Sequence, residues 1–309
     1  MSGFPAVAVG PFGFGTAPLG GLYAPVSDRA AAGALDAAWA GGVRFFDTAP
    51  HYGVGVAERR LGEFLRTRPR SEAIVSTKVG RLLVPGPSGP DEEGFAVDTG
   101  LVRVRDYSAD GVRRCLDESL DRSGLDRFDL VLIHDPDEHW TAAAGEAYPA
   151  LARLRDEGVV RAIGVGMNQC AMLVRFVRET DVDAVIVAGR YSLLDREAGE
   201  ELLPLCARRG VSVIVAGVFN SGLLADPRDG AHYDYHPAGA DLLARARAMR
   251  EICAGYGVPL AAAALAFPRR HPAVTTILVG ARDADEVRQD LALSTMEIPQ
   301  RLWADLESV

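Results

Sequence analysis

Short apolar runs and longer stretches with apolar residues three and four apart alternate along the whole chain. The first kind reads as buried strands and the second as amphipathic helices. Strand-like runs cover 13–17, 43–47, 73–78, 128–134, 161–166, 184–187, 211–215 and 275–279. Helical stretches lie between them at about 28–40, 56–66, 109–123, 141–157, 171–179, 196–209 and 240–256, followed by an alanine-rich segment at 259–266 and a last major helix at 283–293. Ser27-Asp28 caps the first helix, and Gly158 stops the one that begins at 141. Eight strands alternating with helices over 309 residues predict an α/β fold, a (β/α)8 TIM barrel forming one domain over 1–309. No GxGxxG follows the first strand, which argues against an open dinucleotide-binding sheet.

Two segments break the alternation. Residues 79–108 are rich in proline and glycine and too long for an ordinary connection, so they are a candidate lid or substrate loop. A second long loop runs from about 216 to 240. With 48% hydrophobic composition the chain can bury a large core. Its 33 Lys and Arg against 42 Asp and Glu leave a formal charge of −9, a field that repels phosphates and argues against nucleic acid or an anionic membrane as partner. The N-terminal stretch lacks the basic start and apolar core of a signal peptide, and no apolar run reaches membrane-spanning length. A cytoplasmic protein acting on a small molecule is expected. Cys115, Cys170, Cys206 and Cys253 are far apart without CxxC spacing, so neither a disulfide framework nor a metal site is expected.

Candidate chemistry stands at the ends of strands. Asp47 closes the second run, Lys78 the third and His134 the fourth, while Tyr52 lies on the loop just after Asp47. Taken singly, each has an ordinary explanation: a salt-bridged Asp, a packed Tyr, a satisfied core His. In a barrel, however, strand C-terminal ends share one face, so the four converge. An ammonium beside a phenol favours the phenolate, and Tyr52 is therefore expected to have a lowered pKa and to exchange a proton. Asp47 would orient Lys78, and His134 would hydrogen-bond a substrate oxygen. Two other classes fit parts of this pattern: a Schiff-base aldolase acting through Lys78, and a non-catalytic cofactor-binding regulator of the same fold.

Particular segments carry a resemblance. FFDTAPHYG at 45–53 with Glu58, STK at 76–78, LVLIH at 130–134, IGVGMN at 163–168, RYSLLD at 190–195 and FNSGLL at 219–224 are similar to the aldo-keto reductase superfamily across nearly the whole chain. That resemblance implies a catalytic tetrad of Asp47, Tyr52, Lys78 and His134 and a nicotinamide cofactor bound in extended form. It implies cofactor contacts from Gly15, Thr16, Ala17 and Asp47, with Asn168 on the carboxamide and Phe219, Asn220, Ser221, Gly222 and Leu223 around the pyrophosphate. Gly280, Ala281, Arg282, Glu286, Gln289 and Asp290 would hold the adenosine end. The chain departs from the common pattern at Met167, where many members have Ser, at Ala188, where Gln is common, and at Gly217 and Val218, where a stacking aromatic often stands.

Within the superfamily, the long insertion with DYS at 106–108, LIHDPD at 132–137 and RYSLLD resembles the NAD-dependent aldose 1-dehydrogenases acting on L-fucose, L-galactose and D-threo-aldoses, and the similar pyridoxal 4-dehydrogenases. The resemblance implies oxidation of a cyclic hemiacetal to a lactone, with His51, Trp140 and Arg190 as candidate substrate contacts. In NADP-preferring members a Lys after the last strand and an Arg six residues on bracket the 2′-phosphate. Here Gly280 and Glu286 stand at those positions, so NAD is expected as the cofactor, a carboxylate accepting from a free ribose diol and repelling a phosphate.

Overall fold

The computed structural model describes residues 9–309 other than 90, 92 and 235. In chain order the strands are β1 (Phe12–Gly15), β2 (Phe45–Asp47), β3 (Ile74–Val79), β4 (Arg81–Pro85), β5 (Leu101–Arg105), β6 (Leu130–His134), β7 (Ala162–Met167), β8 (Ala184–Ala188), β9 (Ser212–Ala216), β10 (His232–Tyr233), β11 (His236–Pro237) and β12 (Val274–Val279). Eight of them close a parallel barrel in the order β1-β12-β9-β8-β7-β6-β3-β2, which is the expected (β/α)8 fold. The pairs β4–β5 and β10–β11 are antiparallel hairpins outside it.

Strand side chains alternate between the barrel interior and the surrounding helices. Phe45, Ile74, Leu130, Leu132, Ala162, Ala184, Ile186, Ile214 and Leu278 cluster together as the interior plug. Their neighbours Phe46, Val75, Val131, Ile133, Ile163, Val185, Val213 and Ile277 belong to the larger cluster under the helices. Because both faces are buried, these strands read as unbroken apolar runs, as parallel strands do. The helices carry local stop and start signals. Ser27 accepts from the Ala30 N–H to open Asp28–Ala40, Ser108 accepts from Gly111 to open Ala109–Ser123, and Asp283 accepts from Asp285 and Glu286 to open Ala284–Ser294.

Three elements differ from expectation. The 79–108 insertion is not a structureless loop: Leu82 and Leu83 are buried and β4 pairs with β5 from Arg81↔Arg105 to Pro85↔Leu101. Beyond the expected last helix lies another, Gln300–Leu306, which buries Leu302, Trp303 and Leu306. The stretch expected as one helix over 141–157 contains a π-helical turn, Ala143–Ala147. Among the described residues no single helix is long and apolar enough to cross a membrane.

Candidate active site

The alternation that builds the plug also builds the site. Two residues above Phe45 on β2 stands Asp47; Lys78 stands four above Ile74 on β3, and His134 two above Leu132 on β6. All three therefore have interior parity at the C-terminal end of three neighbouring strands. On the other five strands the same layer holds Gly166, Ala188, Ala216, Gly280 and Gly15. Half of the barrel mouth thus carries chemistry and the other half is a floor of small residues. Asp47, Lys78 and His134 are 3%, 3% and 6% exposed.

Lys78 Nζ donates to Asp47 Oδ2 at 2.6 Å and to the Thr48 carbonyl at 3.0 Å, and Ser76 Oγ donates to Asp47 Oδ1 at 2.7 Å. Tyr52 is held by a tight loop in which Gly53 sits against Gly20; a Cβ on Gly53 would lie 2.3 Å from the Gly20 carbonyl oxygen, and its φ is +60°. The Tyr52 ring lies under Lys78, with Nζ 4.6 Å from the centroid, and packs edge-on to His134 at 5.9 Å. Glu58, fully buried, accepts from Arg122 and from Thr77 beside Lys78, tying the following helix to β3.

The electrostatics overturn one expectation. Burial, then the Asp47 and Asp135 carboxylates, push the Tyr52 phenol well above 10.0, with Arg81 opposing. Lys78 does not lower it because its ammonium is neutralised by Asp47 2.6 Å away, so the pair presents little net charge to the ring. His134 is pushed well below 6.5 by burial and by Arg81 and Lys78, and its Nδ1 is buried without a partner among the described residues. A neutral imidazole with an unmet nitrogen beside a phenol is a site waiting for a polar oxygen.

The insertion, expected as a lid or substrate loop with Phe95 and Tyr107 as candidate pocket residues, supplies a second layer whose arginines, Arg81 and Arg103, sequence reasoning missed. Buried Arg81 donates to Asp135 Oδ2 at 2.7 Å and to Glu93 at 3.1 Å, and its Nη1 lies 3.2 Å from His51 Nδ1. Arg103 donates to the His51 carbonyl at 2.8 Å and pairs with Asp91. Tyr107 donates to the carbonyls of His134 and Asp135, both at 2.7 Å, clamping the end of β6 where Asp135 turns to φ 41°. Phe95 closes over the site, edge-on to His51 at 5.2 Å. The available signal was Arg81 itself, three residues beyond the strand-end Lys78.

The residues expected around a cofactor lie on the open half of the mouth, and their chemistry fits a flat polar group there. Thr16 Oγ1 and Asn220 Oδ1 are buried without partners among the described residues. Gly15 faces space with nothing closer than 4.0 Å to an added Cβ, and Gly222 has nothing within 4 Å. Asn220 and Ser221 both adopt positive φ, 46° and 57°, the kind of local strain that collects at ligand loops. Leu223 is fully buried in the core, so it offers only backbone. Asn168 Nδ2 lies 3.4 Å from Asp234 Oδ1, and Asp234 also accepts from Arg190 at 2.6 Å, so the β10–β11 hairpin spans both expected contacts. At the far end Arg282 pairs with Glu286, whose Oε2 also accepts the Arg282 backbone N–H at 2.8 Å. Gln289 is exposed, and burial beside Glu286 raises Asp290 to about 7. Trp140 is not brought to the site: it packs on Phe176 at 4.7 Å with Arg175 stacked on it at 3.7 Å, a helix-to-helix contact.

Comparison with known proteins bears on the family. The model of the aldo/keto reductase family matches 11–309. The chain belongs to the aldo/keto reductase family. Two relatives align over almost the full length: a D-threo-aldose 1-dehydrogenase of a Pseudomonas species, 44% identical over 97% of this chain and 94% of the relative, and a pyridoxal 4-dehydrogenase of Microbacterium luteolum, 42% identical over 96% and 92%. Among solved structures, an aldo-keto reductase from Bacillus halodurans in its holo form shares the fold with a TM-score of 0.75 at 24% identity, covering 96% of this chain and 91% of that one. Aldo/keto reductases are oxidoreductases that use nicotinamide cofactors.

Proposed function

We propose that this aldo/keto reductase is a NAD-dependent dehydrogenase that oxidises the anomeric carbon of a cyclic hemiacetal, an aldose of the L-fucose, L-galactose or D-threo type, to the lactone. The observation that carries the reading is the convergence of Tyr52, His134 and the Asp47–Lys78 pair on one side of an otherwise small-residue floor. A nicotinamide held by Thr16, Asn168, Asn220 and Gly222 would supply the hydride acceptor. Tyr52 in its phenolate form, which burial keeps scarce near neutrality and rising pH makes more abundant, takes the proton of the hemiacetal hydroxyl, so that loss of hydride and proton together leaves the lactone carbonyl. His134, neutral at physiological pH because burial and nearby cations depress its basicity, hydrogen-bonds the same oxygen and holds the C–H bond in line. Asp47 and Lys78 hold the floor of the site and take no proton themselves.

NAD rather than NADP is supported by the Arg282–Glu286 pair, because Arg282, which could otherwise meet a 2′-phosphate, is already engaged by a carboxylate. Residues Thr16, Asn168, Asn220 and Gly222 would hold the cofactor, and Arg190 with Asp234 would border the substrate. A second substrate, pyridoxal, is favoured by the 42% identity to a pyridoxal 4-dehydrogenase, since its neighbouring hydroxymethyl group closes a cyclic hemiacetal with the same reacting atoms. Replacing Tyr52 by Phe tests the assignment. Turnover should fall by roughly 10²–10⁴ with cofactor affinity unchanged; a variant that retains more than half of the wild-type turnover number would remove Tyr52 from the reaction.

A further inference from the structure

His51 stands immediately before the catalytic tyrosine, and its surroundings dictate which of its nitrogens carries hydrogen. Arg81 Nη1 lies 3.2 Å from Nδ1. A guanidinium has only donors, so Nδ1 must be the acceptor. A neutral imidazole that accepts at Nδ1 carries its proton on Nε2. Burial first, then the cations Arg81 from β4, Arg103 from β5, Lys78 from β3 and Arg105 from β5, push its basicity down to about 2. His134 from β6 is edge-on at 5.4 Å and is neutral as well. The facing carboxylate is Glu93, whose Oε2 is 3.7 Å from Nδ1 but hydrogen-bonded to Arg81 at 3.1 Å.

Nε2 has no partner among the described residues, and the side chain keeps 14% of its surface accessible. The ring is wedged between Tyr52 at 5.9 Å, His134 at 5.4 Å and Phe95 at 5.2 Å, so its accessible edge belongs to the space the reacting molecule must enter. We propose that Arg81 acts as a positioning residue that locks His51 in the Nε2–H tautomer, and that this N–H donates to a hydroxyl or ring oxygen of the substrate next to the reacting carbon. This makes His51 a specificity-determining contact for oxygen-rich substrates. The assignment of the substrate class rests on the proposed function; the tautomer does not.

The two parts are read separately. Long-range 15N–1H correlation spectra of cofactor-free protein, with the His51 signals identified by their loss in His51→Gln, report the tautomer without any substrate. Wild type and Arg81→Lys should show the Nε2–H pattern. Arg81→Met should show Nδ1–H, because Glu93 is then the acceptor left facing that nitrogen. A wild-type Nδ1–H or imidazolium pattern, or one that Arg81→Met leaves unchanged, overturns the assignment; if Arg81→Met does not fold, the wild-type and Arg81→Lys spectra decide. For the second part, L-galactose with saturating NAD is the probe. His51→Leu should raise KM roughly 3–10-fold, the worth of one hydrogen bond, with a smaller change in kcat. His51→Gln, which keeps an N–H donor, should recover most of the loss. Equal KM values in wild type and His51→Leu, or equal losses in both variants, refute the donation. Should wild type oxidise neither L-galactose nor pyridoxal, the substrate class and the donation to it fall together, while the spectra still decide the Arg81–His51 lock.

Discussion

Lys78→Met removes a buried cation while nearly keeping its volume, and its cost can be worked from the site. The change leaves Asp47, 3% exposed, with only the Ser76 hydroxyl at 2.7 Å. An uncompensated buried charge costs on the order of 3–5 kcal/mol. At roughly 2.1 cal/mol/K per residue, the 309 residues unfold with an entropy of about 0.65 kcal/mol/K, so the melting temperature should fall by ~5–8 °C. Asp47→Asn should cost a similar amount, because Lys78 then keeps only the Thr48 carbonyl at 3.0 Å. The double variant Asp47→Asn/Lys78→Met buries no charge and should return to within ~3 °C of wild type, since removing both partners of a buried pair is often near neutral. Differential scanning calorimetry of the four proteins gives the cycle, and all three variants should have lost turnover. A double variant that melts at the sum of the two single losses would show that the charges do not act as a pair, and the account of a mutually neutralised Asp47–Lys78 unit beneath Tyr52 would be wrong.

Glu286→Arg releases Arg282 and adds a second cation, so the kcat/KM ratio of NADP to NAD should rise by roughly 10–10²-fold, the low end for two charge-assisted bonds at an exposed site; an unchanged ratio would show that Glu286 does not discriminate. Difference titration of cofactor-free wild type against Tyr52→Phe should find the Tyr52 phenol ionising above the ordinary 10.0, and an inflection below that value contradicts the electrostatic reading. The sign for stability follows: a folded-state pKa raised above the unfolded one favours the fold at pH values below about 10 and loses that contribution as pH rises. Tyr52→Phe should therefore lose less stability than wild type in that alkaline range. The oxidation itself should run faster at alkaline pH, where more of the base is available.

Much of this molecule is legible in one dimension because parallel barrel strands are buried on both faces and so appear as short, dense apolar runs. The tetrad was legible for the same reason: Asp47, Lys78 and His134 are the polar residues that close three such runs. What was not legible depends on long-range partners. The two strands of the β4–β5 hairpin are separated by a segment rich in proline and glycine, and the pairing reaches residues 24 apart, Arg81 with Arg105. Arg81, Arg103 and Tyr107 act on His51, Asp135 and His134 only because that hairpin folds back over the barrel mouth. Trp140 has the composition of a pocket residue, but it lies on the helix face that meets Phe176, a distinction that depends on helix rotation. The Tyr52 expectation weighed the Lys78 ammonium but not the burial of the phenol, the first cause of its raised pKa, nor the Asp47 carboxylate that pairs with Lys78 at 2.6 Å.

The central claim is hydride transfer from a cyclic hemiacetal to NAD at the Tyr52–His134 mouth. Purified protein mixed with NAD and, one at a time, L-fucose, L-galactose, D-threose and pyridoxal should produce reduced nicotinamide, seen by its absorbance, with at least one of them, and lactone should accumulate in step with it. Rapid reduction of simple aldehydes with no oxidation of any sugar or of pyridoxal would contradict the account.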